Sequence, residues 1–136
     1  MIREIVKDII FLQQKAQVAE KTDHSIATDL KDTLIAHADS CVGLAANMIG
    51  FTKAIIVFKD GKDAVIMYNP KILSAVNPYH TEEGCLSLPG KRPCLRYEHI
   101  EVKYRDETFH VKKKKFNGFT AEIIQHEIDH LKGILI

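Results

Sequence analysis

The sequence predicts an α+β fold, with mainly antiparallel sheets packed around a C-terminal helix and further helices at the N-terminus. Three observations carry this. Apolar residues recur at helical spacing near both ends, they alternate at strand spacing in the middle, and the order helix, helix, strands, helix lacks the β-α-β alternation of a parallel sheet. The 136 residues fit one domain, expected over 1–136, and long enough to bury a core that can hold a preorganised site.

The elements follow in order. Ile2, Ile5, Val6, Ile9 and Leu12 lie three or four apart between charged residues, so 2–18 is expected to be a helix. A second helix is expected from about Ser25, a suitable N-cap, to Ala38, with Leu30, Leu34, Ile35 and Ala38 as its apolar stripe. Cys41–Gly50 is rich in small residues, which lets backbone approach another group closely. Ala54–Phe58 and Ala64–Asn69 read as a hairpin about Asp60-Gly61. Pro70 and Pro78 are expected to bound the next segment. Ile100, Val102 and Tyr104 alternate with Glu101, Lys103 and Arg105 as a half-exposed strand, and Phe109–Val111 is its expected partner beyond a turn at 106–108. The last helix is expected from Phe119 to Leu131, opened by Asn117-Gly118 and ended by Gly133.

Composition narrows the function classes. A net charge of +1 gives no overall field for nucleic acid or an acidic membrane. The dense basic block Lys112–Lys115 reads as a solvated turn at a strand end, so neither direct nucleic-acid binding nor membrane association is expected. Charged residues at 3, 4, 7 and 8 break up any secretory signal, and the longest apolar runs fall far short of a membrane span. Three cysteines cannot all pair within one chain, so a cytoplasmic, reducing compartment with thiols available to a metal is expected.

The chemistry concentrates in His126-Glu127-Ile128-Asp129-His130. On a helix, residues four apart share a face about 6 Å apart, so two imidazoles can reach one metal ion. Glu127, one residue on from His126, can flank that ion as a general base without ligating it. Ile123, Ile124, Ile128 and Leu131 make the helix largely apolar, and buried imidazoles and carboxylates need partners, which a metal supplies. A catalytic site needs a third protein ligand and an open position. Cys85, in Glu83-Gly84-Cys85-Leu86-Ser87, is the best candidate, and Cys41, Cys94, His80 and His99 compete with it; spacing alone does not decide.

Gly43-Leu44-Ala45-Ala46, Glu83-Gly84-Cys85-Leu86-Ser87 and Gln125-His126-Glu127-Ile128-Asp129-His130, in that order, resemble the three motifs of the peptide deformylases, which remove the N-formyl group from the initiator methionine of new polypeptides. The likeness runs from about residue 30 to the C-terminus. It implies a ferrous ion held by Cys85, His126 and His130, with zinc or nickel as substitutes, and Glu127 moving the proton. It further implies that the Leu86 N–H faces the formyl oxygen, that Gly43 and Gly84 bind an N-formylmethionyl peptide as an added strand, and that Arg92 is a substrate-side arginine.

The chain departs from that pattern. The family's first motif reads Gly-x-Gly-x-Ala-Ala-x-Gln; here Cys41 replaces the first glycine and Met48 the glutamine. The glutamine amide donates to the formyl oxygen in the family, whereas Met48 has no donor. Losing one such donor costs about 10²–10³ in rate, so slow deformylation is expected unless a group such as Asn47 compensates. Glu122 puts a carboxylate where the family lines its methionine pocket with apolar residues. The sequence ends at Ile136, leaving the ligand helix short of cover that a second copy, in a homodimer, could supply. Two other readings stand beside the enzyme: a deformylase-like protein of little activity that binds N-terminal peptides, and a zinc peptidase of the HExxH type, which the Cys85 motif disfavours.

Overall fold

The computed structural model describes residues 1–136. Its centre is one antiparallel sheet in the order β1 (Gly43–Ala45), β2 (Ile55–Asp60), β3 (Asp63–Cys85), β4 (Leu88–Arg105) and β5 (Val111–Asn117). The helices are α1 (Ile9–Leu12), α2 (His24–Ala36) and α3 (Gly118–Leu131). The expected α+β architecture is present. Ile55, Ile56, Val57 and Phe58 are all fully buried, so both faces of β2 are covered, and α2 and α3 both pack against this strand. No helix is long and apolar enough to cross a membrane.

The N-terminal segment corrects the expected helix over 2–18, of which only Ile9–Leu12 is helical. The remainder sends its backbone donors elsewhere: Val6 to the Met48 carbonyl, Ala16 to Leu131 and Gln17 to Thr52. The apolar spacing does not mark a buried stripe either, since Ile2, Ile9 and Ile10 are exposed. The second helix forms at His24–Ala36, one residue earlier than expected, with Asp23 rather than Ser25 at the N-cap.

The Asp60-Gly61 hairpin forms as expected, but its second strand does not stop at Pro70. Pro70 falls in a register break between Tyr68 and Lys71, where no ladder donor is needed. Pro78 lies opposite Tyr97, whose backbone N–H and C=O are served by the Gln125 side chain instead. A proline in the strand thus frees the neighbouring strand to bond α3. The expected partner strand at 109–111 begins only at Val111 and runs to Asn117, so the four lysines lie within β5 rather than in a turn. The alternation at 100–105 is realised, with Ile100, Val102 and Tyr104 buried. Gly133, at φ +78, follows α3; a Cβ there would collide with the Gln13 carbonyl, so the N-terminal segment can lie against the helix end only because this residue is glycine.

Candidate metal centre

α3 and the tip of the β3–β4 hairpin meet around three side chains. One ligand atom from each of Cys85, His126 and His130 lies within 4.8 Å of the other two. The two Nε2 atoms are 3.1 Å apart, as the one-turn spacing on α3 dictates. Cys41, Cys94, His80 and His99, the competing candidates, are not part of this cluster.

Two of the three candidate ligands are oriented by their surroundings, whereas the buried Nδ1 of His130 has no partner within the chain. His126 Nδ1 lies 2.8 Å from Glu83 Oε1, which directs Nε2 toward His130 and Cys85. The Cys85 Sγ accepts from the Ser87 N–H at 3.3 Å. Glu83 is held by Arg96, whose Nε and Nη2 both reach its carboxylate, while Nη1 donates to Asp129 at 2.7 Å. Glu83 and Arg96 are 7% and 5% exposed, so this is a buried ion pair whose polar atoms are satisfied. Asn47, the expected stand-in for the missing glutamine, points elsewhere, and its Nδ2 donates to the His130 carbonyl near the end of α3.

The electrostatics follow from burial and neighbours. Burial would lower the His126 imidazole, but its bonds to Cys85 and Glu83 and the Glu127 charge reverse this and raise it to about 10. Burial and then the adjacent charged His126 push His130 down to about 3. Two ring nitrogens 3.1 Å apart can share one positive charge but not carry two. A divalent cation suits the same point better, since it satisfies both rings and the thiolate at once. For Glu83, burial raises the carboxyl, but the His126 and Arg96 hydrogen bonds outweigh it and hold it well below the usual carboxylate range. Glu127 has no such help: burial pushes it up to about 7, and its Oε1 has no partner within the chain.

Beside this cluster opens a cavity of about 920 Å³, lined by Gly43, Met48, Gly84, Leu86, Glu122 and Glu127 among others. Gly43 must be glycine: a Cβ would lie 2.7 Å from Ile123 Cγ2 and 2.9 Å from Glu127 Oε2. The Leu86 N–H donates to no group of the chain. Met48 is fully buried on the cavity wall, and the Cys41 thiol is turned to the Gly43 carbonyl. Glu122 accepts from the Tyr79 hydroxyl at 3.3 Å. Arg92 does not line the cavity; its Nη2 donates to the carbonyl of Pro89, which does.

The sequence reading missed Glu83, Arg96 and Asp129 as site residues. Glu83 carried a usable signal, since it lies two residues before Cys85 on a strand and points to the same face. Arg96 carried none, because only the pairing of β3 with β4 brings it there.

Known proteins with this arrangement agree on its class. The profile of the polypeptide deformylase family matches residues 2–136. A peptide deformylase of Clostridium beijerinckii is 58% identical over 136 residues, covering all of both chains, and one of Dictyoglomus thermophilum is 39% identical over all of this chain and 91% of its own. A crystal structure of a Legionella pneumophila peptide deformylase superimposes with a TM-score of 0.88 at 35% identity, over 99% of this chain and 83% of that one. The Met-Ala-Ser-bound class I type b enzyme of Acinetobacter baumannii gives 0.89 at 29%, over 99% and 97%. With its profile matched almost end to end and its three motifs meeting around one cavity, the chain belongs to the polypeptide deformylase family.

Proposed function

We propose that this chain removes the N-formyl group from the initiator methionine of new polypeptides in the cytoplasm, with Cys85, His126 and His130 holding one divalent cation and Glu127 moving the proton. The observation that carries the residue assignment is the convergence of one sulfur and two imidazoles within 4.8 Å beside a buried carboxylate with a free oxygen. Membership of the family favours a ferrous ion as the occupant; a thiolate with two imidazoles suits iron, zinc and nickel alike, so zinc or nickel can substitute.

The cation would polarise the formyl carbonyl and make the attacking water acidic near neutral pH. Glu127, pushed up to about 7, takes the proton from that water and delivers it to the leaving nitrogen as the carbon–nitrogen bond breaks, giving formate and a free amine. The unengaged Leu86 N–H donates to the formyl oxygen as negative charge grows there. β1 is an edge strand, so its free side offers backbone groups to a peptide added as a strand, and Gly43 and Gly84 on the cavity wall present backbone to it. Met-Ala-Ser bound to the Acinetobacter relative supports a ligand of this kind. Arg92 acts at one remove, fixing the Pro89 rim.

Met48 supports the second reading, a weakly active relative that binds N-terminal peptides, because at the place of the family's glutamine amide it offers no donor. Iron-loaded protein prepared without oxygen, assayed for formate release from formyl-Met-Ala-Ser, separates the two. The expected rate exceeds that of Glu127→Ala by about 10²–10⁴. A rate equal to that variant removes the enzyme reading for this substrate, and cleavage of an unformylated peptide would favour a peptidase.

A further inference from the structure

Although composition gave no expectation of nucleic-acid binding, the placement of the lysines within β5 changes that, and we propose that the solvent face of β3–β4–β5 carries a lysine row that binds the phosphate backbone of RNA. Lys71 on β3 lies directly opposite Lys103 on β4, and Lys103 directly opposite Lys113 on β5. Residues in register share a face, so three ammonium groups stand in line across strands about 4.8 Å apart. Lys115, two residues along β5, extends the row. All four side chains are exposed.

Edge protection accounts for only part of this. Lysines on an exposed edge strand block unwanted pairing, which explains Lys113 and Lys115 on β5. It does not explain Lys103, which is paired on both sides, by Lys71 and by Lys113; Lys71 itself lies past Tyr68, where the pairing of β3 with β2 ends. Like charges directly opposite one another disfavour the sheet. Glu101 stands opposite Lys115, but no carboxylate stands opposite Lys71, Lys103 or Lys113. The lysine ion pairs of the molecule are Lys31–Glu107, Lys53–Asp23 and Lys112–Asp106, and none involves the row. The chain's net charge is only +1, so the row is a local concentration rather than a general excess.

A linear polyanion complements a line of cations. The row includes no aromatic side chain, so it reads phosphate and not bases, and binding should be independent of sequence. RNA is the polyanion chosen because the proposed substrate is a polypeptide still being made, which sits beside RNA; in this respect the inference rests on the functional reading above. None of the four lysines lines the cavity.

The test is fluorescence anisotropy of the full chain with labelled uridine and adenosine 20-mers at several salt concentrations. The expected slope of log K against log salt is about −3 for four phosphate contacts on a single strand. The triple variant Lys71→Ala, Lys103→Ala, Lys113→Ala should bind at least tenfold more weakly with a slope near −1, by the same contact count (about −0.7 per phosphate). Its melting temperature should stay level or rise as repulsion is removed, and its formate release from a short peptide should not change. A control with Lys15, Lys62 and Lys132, exposed lysines elsewhere, changed to alanine should bind as the parent does. Equal binding by the row variant, an equal loss in the control, or binding to phosphatidylglycerol vesicles with none to RNA would each overturn the proposal. Because formate release is read separately, its failure would sink the functional reading and leave RNA binding standing.

Discussion

The two walls of the cavity are built to different standards. On the α3 side, Cys85 accepts from a backbone N–H, His126 is held by Glu83, Glu83 by Arg96, and Arg96 by Asp129. On the β1 side, Met48 presents a thioether, the Cys41 thiol bonds the neighbouring Gly43 carbonyl, and the Asn47 amide is committed to the back of α3. The difference teaches that holding an ion and stabilising a transition state are separable. Behind the α3 wall the buried Glu83–Arg96 pair is fully satisfied, because an unpaired buried charge costs stability, whereas Glu127 Oε1 and His130 Nδ1, on residues of the site itself, are left without partners. A wall that stabilises developing charge can lose a donor and leave the fold intact.

The largest expected effect breaks the well-built wall. Arg96→Met removes the partner of a carboxylate that is 7% exposed. Stripping one member from a buried pair costs about 3–5 kcal/mol. For a chain of this size that should lower the melting temperature by roughly 10 °C or more in a calorimetric scan. The orientation of His126 would suffer too, with metal affinity falling by about 10–100-fold. A variant melting within a degree or two of the parent would mean that Glu83 is not dependent on Arg96.

Met48→Gln probes the other wall, and the effect should run upward. A carboxamide there can donate into the cavity, so formate release should rise by about tenfold or more, mainly in kcat. No rise would place the missing donor elsewhere and make the two walls equal after all.

The unequal walls were also unequally legible. The α3 side was readable because its signals are local. His126 and His130 sit one turn apart, Glu83 and Cys85 share a strand face, and the apolar positions of α3 repeat at helical spacing. The β1 side was readable only by its departures from a family pattern, and what Asn47 does instead needed a contact 83 residues away. Arg96 is hidden for the same reason, since no spacing in the sequence announces which strands will pair. At the N-terminus a helical period was present and misled. Ile2, Ile5 and Val6 have the right spacing, yet they lie outside any helix, with the Val6 N–H bonded to the Met48 carbonyl and, further on, the Gln17 N–H to Thr52, a tertiary choice that overrides periodicity.

The smallest expected effect separates two cysteines that line one cavity. Cys85 belongs to the ligand cluster, whereas Cys41 does not. Burial, followed by the Glu127 charge, pushes the Cys41 thiol up to about 12, so it stays protonated at every pH where the protein would be assayed. A protonated thiol is a poor ligand and a poor nucleophile. Cys41→Ala should therefore retain one metal per chain by elemental analysis and change stability by only about 0.5 kcal/mol, since a partly buried thiol gives up one weak bond to the Gly43 carbonyl. Cys85→Ala should lose the metal altogether. Loss of metal from the Cys41 variant would give the β1 wall a share in holding the ion, and the division of labour between the walls would have to be redrawn.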